Sequence, residues 1–145
     1  MNSGVIIVFS NNETEISSFN NEYLANINAN KICFVNNASS DNTLNLLKKI
    51  QFKSEKNISI LDIKLDKGLK AAIKSGARLL LSESEFDFIV YLKSNMLDSL
   101  TGLAVFLNNF QDNKQDYTSL PTRSSRNVLY DVFSINEVMK KQFVV

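Results

Sequence analysis

Apolar runs and helix-like patterns alternate along this chain. Strand-length stretches rich in apolar residues predict β-strands over residues 5–9, 31–35, 57–63 and 86–92, and the continuous apolar run 5–9 is typical of a strand buried on both faces. Between them, apolar residues recur at the spacing of amphipathic helices. The recurring residues are Ile16, Phe19 and Tyr23; Leu44, Leu46, Leu47 and Ile50; Leu69, Ala72, Ile73, Leu79 and Leu80; and Leu100, Leu103, Ala104, Leu107 and Phe110. The alternation predicts a Rossmann-like, three-layer α/β/α fold with a mostly parallel sheet.

The ends of these elements carry local signals. Asp41 or Ser40 is predicted to cap the second helix, and the residues 66–68 are predicted to turn the chain before the third. Gly76 lies inside that third helix, where glycine costs about 1 kcal/mol relative to alanine. We therefore expect a close packing contact at Gly76.

The last part of the chain has a weaker pattern. It holds the only proline, Pro121, and predicts a strand over residues 128–133 and a short helix beginning near Asn136. No repeat, linker or low-complexity segment interrupts the 145 residues, so we expect a single domain over residues 1–145.

The composition excludes several classes of function. A net charge of +1 without a basic cluster argues against nucleic acid as a partner. Histidine is absent, which rules out Ser-His and Cys-His catalysis and nearly all zinc sites. The one cysteine, Cys33, lies in an apolar run and is predicted to be a buried structural thiol, which fits a cytoplasmic location. No signal peptide is evident, and no apolar run approaches the roughly 18 residues of a membrane span.

A polar segment follows the second predicted strand. It reads Val35-Asn36-Asn37-Ala38-Ser39-Ser40-Asp41-Asn42-Thr43 and resembles the "VDNASSDGT" loop of family 2 glycosyltransferases with the GT-A fold. In that family the first aspartate of the loop holds the base or the ribose of a nucleotide, and here that position is Asn36. The neutral amide still forms hydrogen bonds, without the charge that roughly doubles their strength. For Asp41, a structural role at the helix start is favoured.

Two further segments extend the resemblance over residues 5 to 110. The residues 6–13 are similar to the family's "IIIPTYNE", a loop that lines the nucleotide pocket, with Asn12 and Glu13 matching. The glycines Gly68 and Gly76 have the spacing of the family's "N-x-G…A…N-x-G", although Asp66 replaces the first asparagine. Each segment alone is equally typical of a polar turn or a packed helix in any α/β fold.

The segment that departs from the family follows the fourth strand. Where the family carries Asp-x-Asp to hold a divalent metal, this chain has Lys93-Ser94-Asn95. At about 4 Å and an effective dielectric near 20, Lys93 would repel a divalent ion by about 8 kcal/mol. No metal is therefore expected. Either Lys93 replaces the metal as a fixed cation beside a diphosphate, or it is a solvated residue at the rim of a relic pocket. Asp98, nearby, is predicted to lie in a first helical turn.

The resemblance thus implies a degenerate, glycosyltransferase-like protein without metal-dependent transfer. Its predicted ligand is a nucleotide or nucleotide sugar, and no catalytic residue is assigned, because Asp131 and Glu137 lie in no family motif. The predicted binding residues are Ser10, Asn12, Asn36, Asn37, Gly68, Lys93 and Asn95. One alternative is metal-independent transfer through Lys93. Another is a non-enzymatic interaction module or accessory subunit, which binds a second copy or a partner protein through an apolar patch of Phe106, Phe110, Phe133 and Phe143.

Overall fold

The computed structural model describes residues 2–19, 22–95, 102–105, 107 and 132–134. The elements within these residues are β1 (Ser3–Phe9), α1 (Glu13–Ser17), α2 (Glu22–Ala25), β2 (Lys31–Asn37), α3 (Thr43–Lys53), β3 (Ile58–Ile63), α4 (Leu69–Glu83), β4 (Phe88–Lys93) and β5 (Val132–Ser134). Residues 102–105 and 107 are also helical.

The strands form one sheet in the order β3-β2-β1-β4-β5. All four neighbouring pairs are parallel. The chain therefore builds outward from β1 in one direction through β2 and β3, and in the other through β4 and β5. This reversal makes the gap between β1 and β4 the topological switch point, the usual position of a ligand crevice in such sheets. The predicted α/β fold with a mostly parallel sheet is confirmed.

Both faces of the sheet are covered, because β1 and β2 are apolar at successive positions. On one face, Ile7 and Phe34 pack with Leu47 of α3. On the other face, Ile6 and Val35 pack with the side chains Ala72, Ile73, Ala77 and Leu80 of α4. These two clusters give the three layers that the pattern of the sequence predicts.

Gly76 lies where α4 packs tightly against the sheet. An ideal Cβ at this position would lie 2.9 Å from Val35 Cγ2 and 3.3 Å from Ile6 Cγ2. The helix can pack at this depth because residue 76 has no side chain. The expected packing contact is confirmed.

Several boundaries differ from the predictions. The second strand extends to Asn37, because its parallel pairing with β3 continues through Asn36↔Asp62 and Asn37↔Ile63. Both asparagines therefore lie in the strand and not in the loop. The predicted cap of α3 is wrong: the residue before the helix is Asn42, and its side chain makes no capping hydrogen bond. The chain between β1 and β2 forms two short helices rather than one.

The expected apolar patch is wrong at one residue. Phe133 is only 1% exposed, because β5 pairs with β4 and inserts this ring into the core. The other three phenylalanines of the patch lie outside the described side chains, as do Pro121 and the helix predicted near Asn136. Within the ranges given above, no helix is long and apolar enough to cross a membrane.

Candidate functional site

The candidate site lies at the carboxyl edge of the sheet, where the first four strands end. Ser10 directly follows β1, Asn36 and Asn37 end β2, and Lys93 ends β4. Lys93 is the register partner of Val8, one residue before the end of β1, so Lys93 stands beside the switch point. The fold thus brings residues from distant parts of the sequence to one edge, as the resemblance implies.

The loops after β1 and β2 are joined by side-chain hydrogen bonds. The backbone amide of Ser40 donates to Asn11 Oδ1 at 2.8 Å, and the amide of Asn11 donates to Ser39 Oγ at 3.0 Å. Asn11 has a φ of 53°, a left-handed conformation that asparagine tolerates better than most residues. The amide of Asn12 donates to Thr43 Oγ1 at 2.9 Å. The two loops therefore form one connected surface.

Asp41 bridges the starts of α1 and α3. Its Oδ1 accepts hydrogen bonds from the backbone amide of Thr43 at 3.0 Å and from Thr43 Oγ1 at 2.5 Å. Its Oδ2 accepts one from the amide of Glu13 at 3.2 Å. These bonds, the Thr43 hydroxyl first, lower the pKa of Asp41 below its ordinary value. The structural role favoured for Asp41 is thus present, although the carboxylate binds two helix starts rather than capping one.

Ser10 and Asn12 form a local turn. Asn12 Oδ1 accepts a hydrogen bond from the backbone amide of Ser10 at 2.6 Å. The carbonyl oxygen of the Asn12 side chain is therefore already engaged, while the side chain of Ser10 is exposed. Of these two predicted site residues, Ser10 offers an exposed hydroxyl to a ligand and Asn12 chiefly fixes the shape of the loop.

Asn36 and Asn37 are buried polar side chains with unused hydrogen-bonding capacity. They are 3% and 6% exposed. Asn36 Nδ2 donates to Asp62 Oδ1 at 2.9 Å, and Asn37 Nδ2 donates to Asp66 Oδ1 at 3.3 Å. Within the described part of the chain, neither Oδ1 has a hydrogen-bond partner. A buried acceptor without a partner costs about 1–3 kcal/mol, so each needs a physical explanation.

Gly68 serves the site through its backbone. Its φ of 96° and ψ of 168° lie in a region that is essentially restricted to glycine. The Gly68 amide donates to Asp66 Oδ1 at 2.8 Å, the same oxygen that accepts from Asn37 Nδ2. Asp66 thereby ties the start of α4 to the end of β2. Asp66 thus lies between Asn37 and Gly68 and accepts a hydrogen bond from each.

Lys93 and Asn95 stand apart from the asparagine pair. Both are exposed, and among the described residues Lys93 forms no ion pair. Across these same residues, no group of three or more His, Cys, Asp or Glu side chains could hold a metal ion. Asp98, Asp131 and Glu137 lie outside the described residues.

Cys33 takes no part in the site. It lies in the middle of β2 and is fully buried, and burial raises the pKa of its thiol to about 12. Such a thiol stays protonated and unreactive near neutral pH. The prediction of a structural thiol is confirmed.

A separate groove of about 510 Å³ lies near α2 and the end of α3. Its lining is Glu22, Ala25, Lys53, Ser54, Glu55 and Lys56. Because α3 starts beside the end of β2 and finishes before the start of β3, this groove lies toward the amino edge of the sheet. Its open surface and mixed charges define no site, and we place the candidate site at the carboxyl edge.

The residues that sequence reasoning missed are Asn11, Thr43 and Asp62. Asn11 and Thr43 join the loops, and Asp62 pairs with Asn36. Asp62 and Thr43 had signals in the sequence. Asp62 is the one charged residue in a mainly apolar strand, which indicates a partner on the neighbouring strand, and Thr43 matches the last residue of the family's loop. Nothing in the sequence distinguishes Asn11 from its polar neighbours.

The strand order and the switch point define a Rossmann-like α/β fold. Among solved structures, the chain is similar to S. aureus TarS 1–349, with a TM-score of 0.54 and 19% identity over 77% of this chain and 33% of that chain. Its complexes with UDP-GlcNAc and with UDP give the same TM-score over 77% of this chain, at 18% and 19% identity and over 32% and 33% of those chains.

The chain thus spans about a third of the length of these structures. No protein-family model matches the chain, and no curated protein matches it. At this level of identity the likeness establishes the fold, which is the GT-A-like fold implied by the resemblance of the loops.

Proposed function

We propose that the carboxyl edge of the sheet binds a nucleotide or nucleotide sugar without a divalent metal, and that the chain is a degenerate relative of family 2 glycosyltransferases. In this proposal residues 1–145 are one domain, located in the cytoplasm. The observation that carries it is the pair of buried, unpartnered carbonyl oxygens of Asn36 and Asn37 at the end of β2. They lie where α/β sheets of this kind bind their ligands.

The unused oxygens favour a ligand with N–H or O–H groups. A buried acceptor is destabilising in the free protein, and a bound donor removes that penalty. Nucleobases and riboses supply such donors. The loops after β1 and β2 are already fixed to each other through Asn11 and Asp41. Little entropy of loop ordering therefore opposes ligand binding. A preorganised edge of this kind suits a small polar ligand.

Lys93 supports the phosphate end of the same ligand. Its ammonium is exposed at the end of β4, beside the switch point, and has no carboxylate partner among the described residues. A fixed cation can neutralise a diphosphate in place of a metal. Lys93, Ser94 and Asn95 offer one cation and two neutral groups, so this donor set does not fit a divalent metal, which prefers carboxylate oxygens.

Calorimetric titration tests the proposal. Uridine ligands come first, because the similar TarS structures are complexes with UDP-GlcNAc and UDP. We expect UDP and UDP-GlcNAc to bind with the same affinity in the presence of manganese and of EDTA. GDP provides a comparison of base preference. Absence of binding by all three ligands at millimolar concentration refutes the proposal and turns attention to the interaction module.

The variant Lys93→Gln separates the phosphate contact from general charge effects. We expect this substitution to weaken UDP binding about fivefold, which corresponds to about 1 kcal/mol for an exposed ion contact. The affinity for uridine, which has no phosphate, should not change in this variant. Lys49→Gln is the matched control, because Lys49 is an exposed lysine in the second half of α3, away from the helix start that borders the site. Equal losses in the two variants would contradict a specific role for Lys93.

A further inference from the structure

Phe52 is a large apolar side chain that the fold leaves in water. It is 91% exposed, the highest value among the large apolar residues that the structure describes. Thr43, on the buried side of α3, lies about two and a half turns earlier, so Phe52 points away from the sheet. Phenylalanine also favours a helix less than lysine or glutamine does. Folding alone therefore does not account for an aromatic residue at this position.

Lysines surround Phe52 on the same helix. Lys48 and Lys49 lie four and three residues before it, the spacing at which side chains are neighbours on a helix surface, and Lys53 follows it. All three lysines are exposed, and within the described ranges none of them forms an ion pair. The helix itself carries no acidic residue, and Glu55 comes only after its end. The outer face of α3 thus combines an exposed aromatic ring with a set of cations.

We propose that the outer face of α3 docks on an anionic lipid bilayer, with Phe52 entering the interface and Lys48, Lys49 and Lys53 contacting lipid phosphates. An apolar anchor among basic residues is typical of helices that lie on such membranes. The negative surface attracts each nearby lysine, and the interface removes the aromatic ring from water. The inference does not depend on nucleotide binding, because the carboxyl edge of the sheet stays open when the outside of α3 is covered.

The charge of the surface favours a bilayer over a second copy of this chain. The groove near α2 adjoins the end of α3, and four of its six lining residues are charged. It therefore offers no apolar pocket to the aromatic ring of another copy. A bilayer interface needs no such pocket and complements the positive charge of the helix.

A tryptophan at position 52 reports directly on insertion. The chain contains no tryptophan, so the variant Phe52→Trp carries a single fluorophore on the docking face. With vesicles of phosphatidylcholine and about one third phosphatidylglycerol, we expect its emission to shift to shorter wavelength, because the indole leaves water. Vesicles of phosphatidylcholine alone should give no shift. Leu81→Trp is the matched control, since Leu81 is exposed on α4, which covers the opposite face of the sheet, and its emission should not change.

Vesicle sedimentation measures the contribution of each side chain. Lys49→Gln with Lys53→Gln should lower the partition coefficient about twentyfold, since each lysine near such a surface contributes about fivefold. Lys70→Gln with Arg78→Gln removes the same charge from exposed positions of α4. It should change binding less than about threefold in 0.1 M salt, because α4 lies beyond the sheet and the Debye length is about 10 Å. Phe52→Gln should lower binding about tenfold. Circular dichroism verifies that each variant is folded.

The outcomes are distinct. A shift at position 52 but not at position 81, together with losses confined to the α3 variants, supports the proposal. Equal losses in the two charge pairs would overturn it, because the vesicles would then attract the chain through its general charge. A shift of Phe52→Trp emission that follows protein concentration without vesicles would also overturn it, in favour of a second copy. A wild type that does not bind anionic vesicles refutes the docking surface and leaves the proposed nucleotide binding in place.

Discussion

The contact of α4 with the sheet at Gly76 predicts a strong coupling between two substitutions. A methyl group at residue 76 would lie 2.9 Å from Val35 Cγ2, closer than carbon atoms normally approach. Gly76→Ala gains about 1 kcal/mol of helix propensity but incurs about 1–3 kcal/mol of overpacking. We expect a net loss of about 1 kcal/mol in the free energy of unfolding. Val35→Ala, which removes two buried methyl groups, should cost about 2 kcal/mol on its own.

The double variant should be more stable than the sum of these losses. With Val35 truncated, the methyl group added at position 76 enters the vacated space and the helix propensity is gained in full. Only the lighter contact with Ile6, at 3.3 Å, then remains. We expect the double variant to lose about 1 kcal/mol, which corresponds to a coupling energy of about 2 kcal/mol.

Urea unfolding followed by circular dichroism measures this coupling. Val5→Ala is the matched control background, because Val5 is also fully buried but packs on the opposite face of the sheet, away from α4. Gly76→Ala combined with Val5→Ala should be additive within about 0.5 kcal/mol. A coupling below that value in the Val35 background would refute the packing argument.

Three further predictions concern the site. Gly68→Ala should lower the free energy of unfolding in urea by about 1–3 kcal/mol. Since no atom lies within 4 Å of the added Cβ, this cost comes from the backbone conformation alone. An unchanged urea midpoint would contradict this explanation. Because the folded pKa of Asp41 lies below its ordinary value of 3.8, its stabilising contribution is present above that pH and is lost as the pH falls through the folded pKa. Asp41→Asn should therefore show a weaker acid dependence of the melting temperature than the wild type between about pH 5 and 2, and parallel curves would exclude the bridge as a source of acid sensitivity. Introducing Asp-x-Asp by Lys93→Asp with Asn95→Asp should make UDP binding dependent on manganese, because two carboxylates then replace a cation and an amide. Calorimetry with and without EDTA measures this dependence. UDP binding that stays independent of manganese would show that Lys93 is not the residue that excludes the metal.

The sequence predicts the fold well because the signals involved are local. The apolar runs of β1 and β2 and the helical spacing of apolar residues in α4 can each be recognised within one segment. Their alternation along the chain predicts a parallel sheet with helices between the strands. The need for a close contact at Gly76 also follows from one residue in a helix. Its partner, Val35, could be found only from the three-dimensional structure.

The candidate site was predictable in position but not in its internal bonds. The carboxyl ends of strands meet at one edge by topology, so Asn36 and Lys93 could be assigned to it. Which polar group pairs with which depends on strand register and on loop conformation, as in the pairs Asn36–Asp62 and Asn12–Thr43. These hydrogen-bond pairings decide which atoms remain available to a ligand. They cannot be predicted from the order of residue types along the chain.

The hydrogen bonds of Asp41 explain why this loop can be retained for structural reasons alone. Its carboxylate and the Thr43 hydroxyl are needed to build the edge itself, whatever occurs there afterwards. In the proposed function, the residues after β4 have departed from the family's metal-binding acids while folding still selects for the residues of this loop. Similarity in this loop alone therefore indicates a shared fold and not a shared activity, and the residues after β4 are the better criterion for metal-dependent transfer.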